Sequence, residues 1–299
     1  MRRGSAALVP VLVLSLSCGI PAPPTDGIAS VSAIEKFSKQ RAMDHVRKLA
    51  GDIGVRVRGT RGELLGSRYI ARRFKSLGYR VNIQKFAVDN GTSRNVVAWW
   101  PSAKKFPFVV GAHMDTVSGA PGANDNASGV ATILEVARLF AGTRQAQWVR
   151  FVAFGSEEFV NSGVHHLGSA TYVRRLGPRG RARLAGMLSV DMIADGVPLR
   201  IGHIGISEPV VARSVYRKVT EGGIATSWIK SCDCSDHGPF EHAGIPASFM
   251  WSGDEPNYHS SSDTPPNMDP DDLARTGDAV RLFVKQLNRR ILEYYRRKG

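Results

Sequence analysis

Phe108-Val109-Val110-Gly111-Ala112-His113-Met114-Asp115 sets an unbroken apolar run directly against a histidine and a carboxylate. The run suits a buried strand and is too short for an ordinary helix, so His113 and Asp115 are expected at a strand's carboxyl end. The same grammar recurs downstream. Residues 149–154, apolar except for Arg150, read as a second strand that crosses Gly155-Ser156 into Glu157-Glu158, and Leu188-Ser189-Val190 leads into Asp191. A further strand is expected over 245–250. Upstream, Tyr79, Val81 and Ile83 alternate as a half-exposed strand does, and residues 95–100 read as another strand. Helical spacing predicts helices over 32–50, 62–77 and 130–140. A last helix opens at Asp269-Pro270, a cap followed by proline, and carries Val280, Phe283, Val284, Leu287 and Ile291 on one stripe. This alternation predicts an α/β three-layer sandwich, with a mostly parallel, mixed central sheet flanked by helices. In such sheets functional groups collect beyond the carboxyl ends of strands, where His113-Asp115, Glu157-Glu158 and Asp191 all fall.

The chain has 299 residues, 42% of them hydrophobic, which suits one sizeable domain. Its first residues read differently. Arg2-Arg3 and a short apolar run from Ala6 to Leu16 have the form of a secretory signal, too short to span a bilayer. The expected organisation is a signal peptide at 1–17, a flexible tether with Pro21, Pro23 and Pro24 at 18–31, and a single domain at 32–299. Cys18 stands where a bacterial lipoprotein cysteine would stand, so either lipid anchoring at Cys18 or plain secretion is expected. Both place the protein outside the cell or on the outer face of its membrane. The net charge of +14 is spread over Arg72-Arg73, Arg174-Arg175, Arg179 to Arg183 and the C-terminus. No aromatic-interleaved stripe accompanies it, so no nucleic-acid partner is expected. Cys232 and Cys234 are one residue apart, and the sequence leaves open a bridge or two free thiols.

Two further polar pieces lie in loops: Gly122-Ala123-Asn124-Asp125-Asn126-Ala127-Ser128-Gly129 before a helix, and Asn257-Tyr258-His259-Ser260. A lone Asp or His at a strand end is commonly a cap or a surface residue. Five ordered pieces rich in imidazole and carboxylate suit zinc, with no thiolate required. Two metals can share a site about 3.5–4 Å apart when a carboxylate bridges them.

The ordered set resembles the M28 family of zinc aminopeptidases over roughly 37–292. The resemblance is carried by Arg58-Gly59-Thr60, His113-Met114-Asp115, Asn124 to Gly129, Gly155-Ser156-Glu157-Glu158, Asp191, Ser235-Asp236-His237, and Tyr258-His259 with Ser262-Asp263-Thr264-Pro265. It implies the zinc exopeptidase fold and two Zn2+ per chain, one held by His113 and Asp191, the other by Glu158 and His259, with Asp125 bridging. It implies Glu157 as general base, Tyr258 as donor to the oxyanion, Asp115 as the acceptor that fixes the His113 tautomer, and a cis peptide after Asp125. Met192, Phe249, Met250 and Trp251 map to the substrate pocket and imply removal of hydrophobic or neutral N-terminal residues from peptides; a monomer is expected. Asp236 and His237 are expected as supporting structure, and Asp195 and Asp263 as caps or turn residues. His45, His165, His166, His203 and His242 match no ligand position. The chain departs from some members in its shorter cysteine spacing and in lacking an arginine near Cys234. A one-zinc glutaminyl cyclase and a carboxypeptidase are the rival enzymes. The full ligand set disfavours the first, and the absence of a placeable basic residue in the pocket disfavours the second. A non-catalytic binding protein would have lost ligands, and none is missing.

Overall fold

The structure, a computed structural model, describes Met1 and residues 35–104, 106–158, 165–196, 198–253 and 255–298. Apart from Met1, the expected signal peptide and tether, with Cys18, lie outside the described residues. Among the described residues no helix is long and apolar enough to cross a membrane.

Eight strands form one sheet in the order β1-β2-β4-β3-β5-β8-β6-β7. They are β1 (Arg80–Val88), β2 (Gly91–Trp99), β3 (Phe108–His113), β4 (Val149–Phe154), β5 (Gly186–Val190), β6 (Leu199–His203), β7 (Thr226–Lys230) and β8 (Ala247–Trp251). The central β4-β3-β5-β8 block is parallel throughout. Antiparallel pairings of β1 with β2, β2 with β4 and β6 with β8 make the sheet mixed toward both ends. The helices are α1 (Lys39–Val46), α2 (Arg61–Ser76), α3 (Gly129–Phe140), α4 (Leu167–Arg181), α5 (Val210–Glu221), α6 (Gly238–His242), α7 (Pro270–Gln286) and α8 (Arg289–Lys298).

Strand alternation sorts the core into two layers. Phe108, Val110 and Ala112 of β3 and Phe151 and Ala153 of β4 face a large cluster with side chains from α1, α2, α3, α5, α7 and α8. Val109, Val152 and Phe154 face the other way, against Tyr172 and Val173 of α4 and Phe240 of α6. A strand buried on both faces needs the continuous apolar run seen at 108–112.

Several expected boundaries move. The helix expected over 32–50 starts at Lys39, where the Ser38 hydroxyl caps it by accepting from the Arg41 amide, and it continues past Val46 as a wider helical stretch to Ile53. The expected strand at 95–100 begins at Gly91, because the polar residues 91–94 pair with β1 across a two-residue turn. The last helix stops at Gln286, where Leu287 is extended, so Ile291 belongs to α8. Asp269 does cap α7, accepting from the amides of Asp271 and Asp272. The strands β6 and β7 carry too few apolar residues to announce themselves.

Candidate functional site

His113 ends β3 in register with Phe154, the last residue of β4, and Asp191 follows β5 with its amide bonded to the Met250 carbonyl of β8. Three strand ends therefore bring His113, Glu157-Glu158 and Asp191 to one edge. The His113 ring donates from Nδ1 to the main-chain carbonyl of Asp115 over 3.3 Å. That bond selects the tautomer whose Nε2 carries a lone pair. Nε2 lies 3.1 Å from Asp125 Oδ1 and 3.2 Å from Asp191 Oδ1. The Asp115 carboxylate itself stands 3.8 Å from Nδ1. Its oxygens instead accept from the amides of Glu157 and Glu158 over 3.0 and 3.2 Å. The expected carboxylate–imidazole bond is thus replaced by a main-chain bond, and the Asp115 side chain fixes the strand end that bears both glutamates.

The loop at 123–128 carries Asp125 into the centre. Gly122 enters it with φ +64 in the left-handed region, and an added Cβ would sit 2.3 Å from the Asp125 carbonyl oxygen. Gly129 leaves it, and a Cβ there would sit 2.2 Å from the Val190 carbonyl oxygen. Glycine at both ends lets the loop press against the end of β5. The Asp125-Asn126 peptide is cis. The Asn126 side-chain amide donates to the Val190 carbonyl over 2.9 Å. The Asp263 carboxylate accepts from the amides of Asn124 and Asp125 over 2.7 and 3.1 Å, a capping role performed on the loop itself. Asp125 Oδ2 then lies 3.2 Å from His259 Nε2, which is also 3.1 Å from Glu158 Oε2. One carboxylate faces both imidazoles from opposite oxygens.

Among the described residues, three groups of donors lie close enough to hold a cation: His113, Asp125 and Asp191; Asp125, Glu158 and His259; and His113, Glu157 and Glu158. Their electrostatics are those of crowded acids. Burial raises the Glu157 carboxyl well above its ordinary value, with Asp191, Asp115 and Asp125 adding to the shift against His113. Burial and then Asp125 raise Glu158 likewise. Burial opposes protonation of His113, but Asp191, Glu157 and Asp125 outweigh it and hold the imidazole well above its usual range. His259 is carried to about 10 against its burial by hydrogen bonds to Asp125 and Glu158. Such a set has surplus negative charge that a bound cation offsets.

The centre itself forms one side of a cavity of about 200 Å³, lined by His113, Asp125, Glu157, Glu158 and Asp191 and closed by Met192, Cys232, Cys234, Phe249, Trp251 and Tyr258. Met250 is not part of it. It is fully buried in the large core cluster, because neighbours on β8 point to opposite faces and only Phe249 and Trp251 face the cavity. The His237 ring stacks on Phe249 at 4.8 Å, and Arg200 lies 4.8 Å over the Trp251 ring. Cys232 and Cys234 are bridged and contribute to the wall. Tyr258 is half-exposed and stacks on His259 at 3.8 Å.

Three more residues complete this network: Ser235, from the segment Ser235-Asp236-His237 already noted, and His166 and Arg56, which no sequence signal marks. Ser235 donates to Asp191 Oδ2 over 2.6 Å. His166 lies 3.1 Å from Glu157 Oε1, where an ordinary histidine was expected. Arg56 is fully buried and donates to the carbonyls of Leu49, Gly54, Met114, Pro121 and Gly122. Burial lowers its pKa to about 10, against the pull of Asp263, Asp115 and Asp125. A single guanidinium thus joins the residue after His113 to the entrance of the Asp125 loop. Arg56→Met should lower unfolding stability by about 1–3 kcal/mol for each buried carbonyl left without its donor, and chemical denaturation would measure it. His45, His203 and His242 pair with Tyr69, Glu241 and Asp233 away from the centre.

The family described as Peptidase family M28 matches residues 95–284. Leupeptin-inactivating enzyme 1 of Streptomyces exfoliatus is 28% identical over 93% of this chain and 66% of its own length. Aminopeptidase YwaD of Bacillus subtilis is 33% identical over 66% of this chain and 45% of its own length. The chain therefore spans about two thirds of one relative and under half of the other. Among solved structures, BSAP, a zinc aminopeptidase from Bacillus subtilis, superimposes with a TM-score of 0.76 at 19% identity, covering 83% of this chain and 95% of that one.

Proposed function

The chain belongs to peptidase family M28, and from that premise we propose that it is a zinc-dependent aminopeptidase with two metal ions, removing hydrophobic or neutral N-terminal residues from peptides outside the cell. The observation that carries this reading is the shared carboxylate: Asp125 offers one oxygen at 3.1 Å from His113 and the other at 3.2 Å from His259. Two donors bound to one tetrahedral zinc ion at its usual bond lengths stand about 3.3 Å apart, close to these separations. The donors are all imidazole and carboxylate, which suits zinc. Glu158 Oε1 is buried without a hydrogen-bond partner and is available as a ligand. His113 and Asp191 would hold one ion, Glu158 and His259 the other, and Asp125 would serve both.

Zinc bound there would supply Lewis acidity for the attacking water and the scissile carbonyl. Glu157 accepts the water's proton and returns it to the leaving amine. Its burial favours the protonated form once the transfer is made. Burial, then Asp125 and Glu158, keep the Tyr258 hydroxyl protonated, so it remains a donor for the developing oxyanion. The cavity of about 200 Å³ takes one apolar side chain. No Arg or Lys stands among its described lining residues to hold a C-terminal carboxylate, which argues against a carboxypeptidase.

The test is a panel of aminoacyl-nitroanilides with the purified, zinc-loaded protein. Leucyl and phenylalanyl substrates should be cleaved and their N-acetyl forms spared. Cleavage of the blocked substrates, or turnover confined to cyclisation of N-terminal Gln peptides, would overturn the reading.

A further inference from the structure

His166 grips Glu157 twice. Its ring Nε2 lies 3.1 Å from Glu157 Oε1, and its amide donates to the Glu157 carbonyl over 2.8 Å. The next amide, Leu167, donates to the Ser156 carbonyl over 2.8 Å. The start of α4 is therefore tied to Ser156 and Glu157. His166 has φ +54, the left-handed turn that points its ring toward residue 157 as the chain enters the helix. The ring is buried and braced. His165 Nδ1 approaches the same nitrogen at 2.8 Å. Such bracing restricts where the imidazole can go, and through it the Glu157 carboxylate.

We propose that His166 is a positioning residue that holds the Glu157 carboxylate in the orientation from which it takes and returns the proton. The inference rests on Glu157 being the base. A glutamate has three side-chain torsions and loses that freedom only where something holds it. Among the described residues, the Glu157 carboxylate has no other neutral side chain recorded within hydrogen-bond distance. A hydrogen shared between Nε2 and Oε1 fixes the carboxylate whichever of the two carries it. Misplacement of a reacting group by about 1 Å can cost about 100-fold in rate.

His166→Ala should lower kcat for leucyl-nitroanilide by about 10–100-fold and leave KM within about twofold. Zinc content and the thermal unfolding midpoint report separately on the site and the fold, and zinc content should be unchanged. His166→Gln keeps a side-chain donor at similar reach and should recover most of the loss, whereas His166→Asn falls short and should behave like His166→Ala. That pair serves the same comparison where the alanine variant folds poorly. In a Glu157→Gln background, His166→Ala should add less than about a twofold further loss, since the two residues act as a unit. Unchanged kcat in His166→Ala, equal activity of the Gln and Asn variants, or a full additional loss in the double variant would each overturn the proposal. Near-normal turnover of Glu157→Gln alone would instead remove the base on which it rests.

Discussion

Glu157→Gln should retain its zinc and lose about 10²–10⁴-fold in kcat, the usual contribution of a general base. Glutamine keeps the size of the side chain and its bond to the Asp115 carboxylate, since that bond comes from the main-chain amide of residue 157. What it loses is the ability to take a proton. Geometry alone leaves a second possibility for this residue, because Glu157 also falls in a donor group with His113 and Glu158. The two roles separate cleanly by measurement. A base lost to glutamine leaves the metal stoichiometry unchanged while turnover collapses, and a ligand lost to glutamine lowers both. Elemental analysis beside steady-state kinetics decides between them, and near-normal turnover would refute the base assignment.

Asp125→Ala should strip the centre of both ions and abolish activity with them. Each other proposed ligand serves one ion, whereas Asp125 faces His113 from one oxygen and His259 from the other. Its removal also leaves two imidazoles beside Glu158 and Asp191 with no carboxylate between them. The effect should appear in stability as well as in turnover. A ligand that binds only the folded chain stabilises it by about 4 kcal/mol at a thousand times its dissociation constant. Added zinc should therefore raise the unfolding midpoint of the parent protein after chelation and leave that of Asp125→Ala almost unmoved. A variant that still binds two zinc ions per chain would end the proposal of a bridging carboxylate.

The parts of the centre that were legible in the sequence are those tied to strand ends. Apolar runs at 108–112 and, save for Arg150, at 149–154 declare buried parallel strands, so the polar residues just beyond them are placed before any coordinates are known. Asp125 and His259 are different. They sit in loops, and their order along the chain matched a family pattern, while their approach to one another depends on how those loops are held. The Asp125 loop is held by Asp263, by the Asn126 bond to Val190 and by Gly129 against β5. None of these contacts joins neighbours in sequence.

The failures follow the same division. Met250 was grouped with Phe249 and Trp251 by proximity in sequence, but a strand's alternation sends it to the opposite face. The edge strand β7, part-exposed and polar, and its five-residue neighbour β6 gave no run long enough to read. Asp115 was expected to bond the His113 ring, and its carboxylate turned to the amides of Glu157 and Glu158 because two N–H donors at a strand end lie closer than the imidazole.

By itself, the sequence determined a layered α/β chain with a parallel core and acid and imidazole groups at its strand ends, since local periodicity and strand boundaries are properties of neighbouring residues. Only the tertiary structure decided that Arg56 joins the two halves of the centre, that Ser235 bonds Asp191 and that His166 closes on Glu157. The first two join residues 44 or more apart in the chain, and in all three a buried group finds its partner only after the sheet and its crossing loops have fixed both in space.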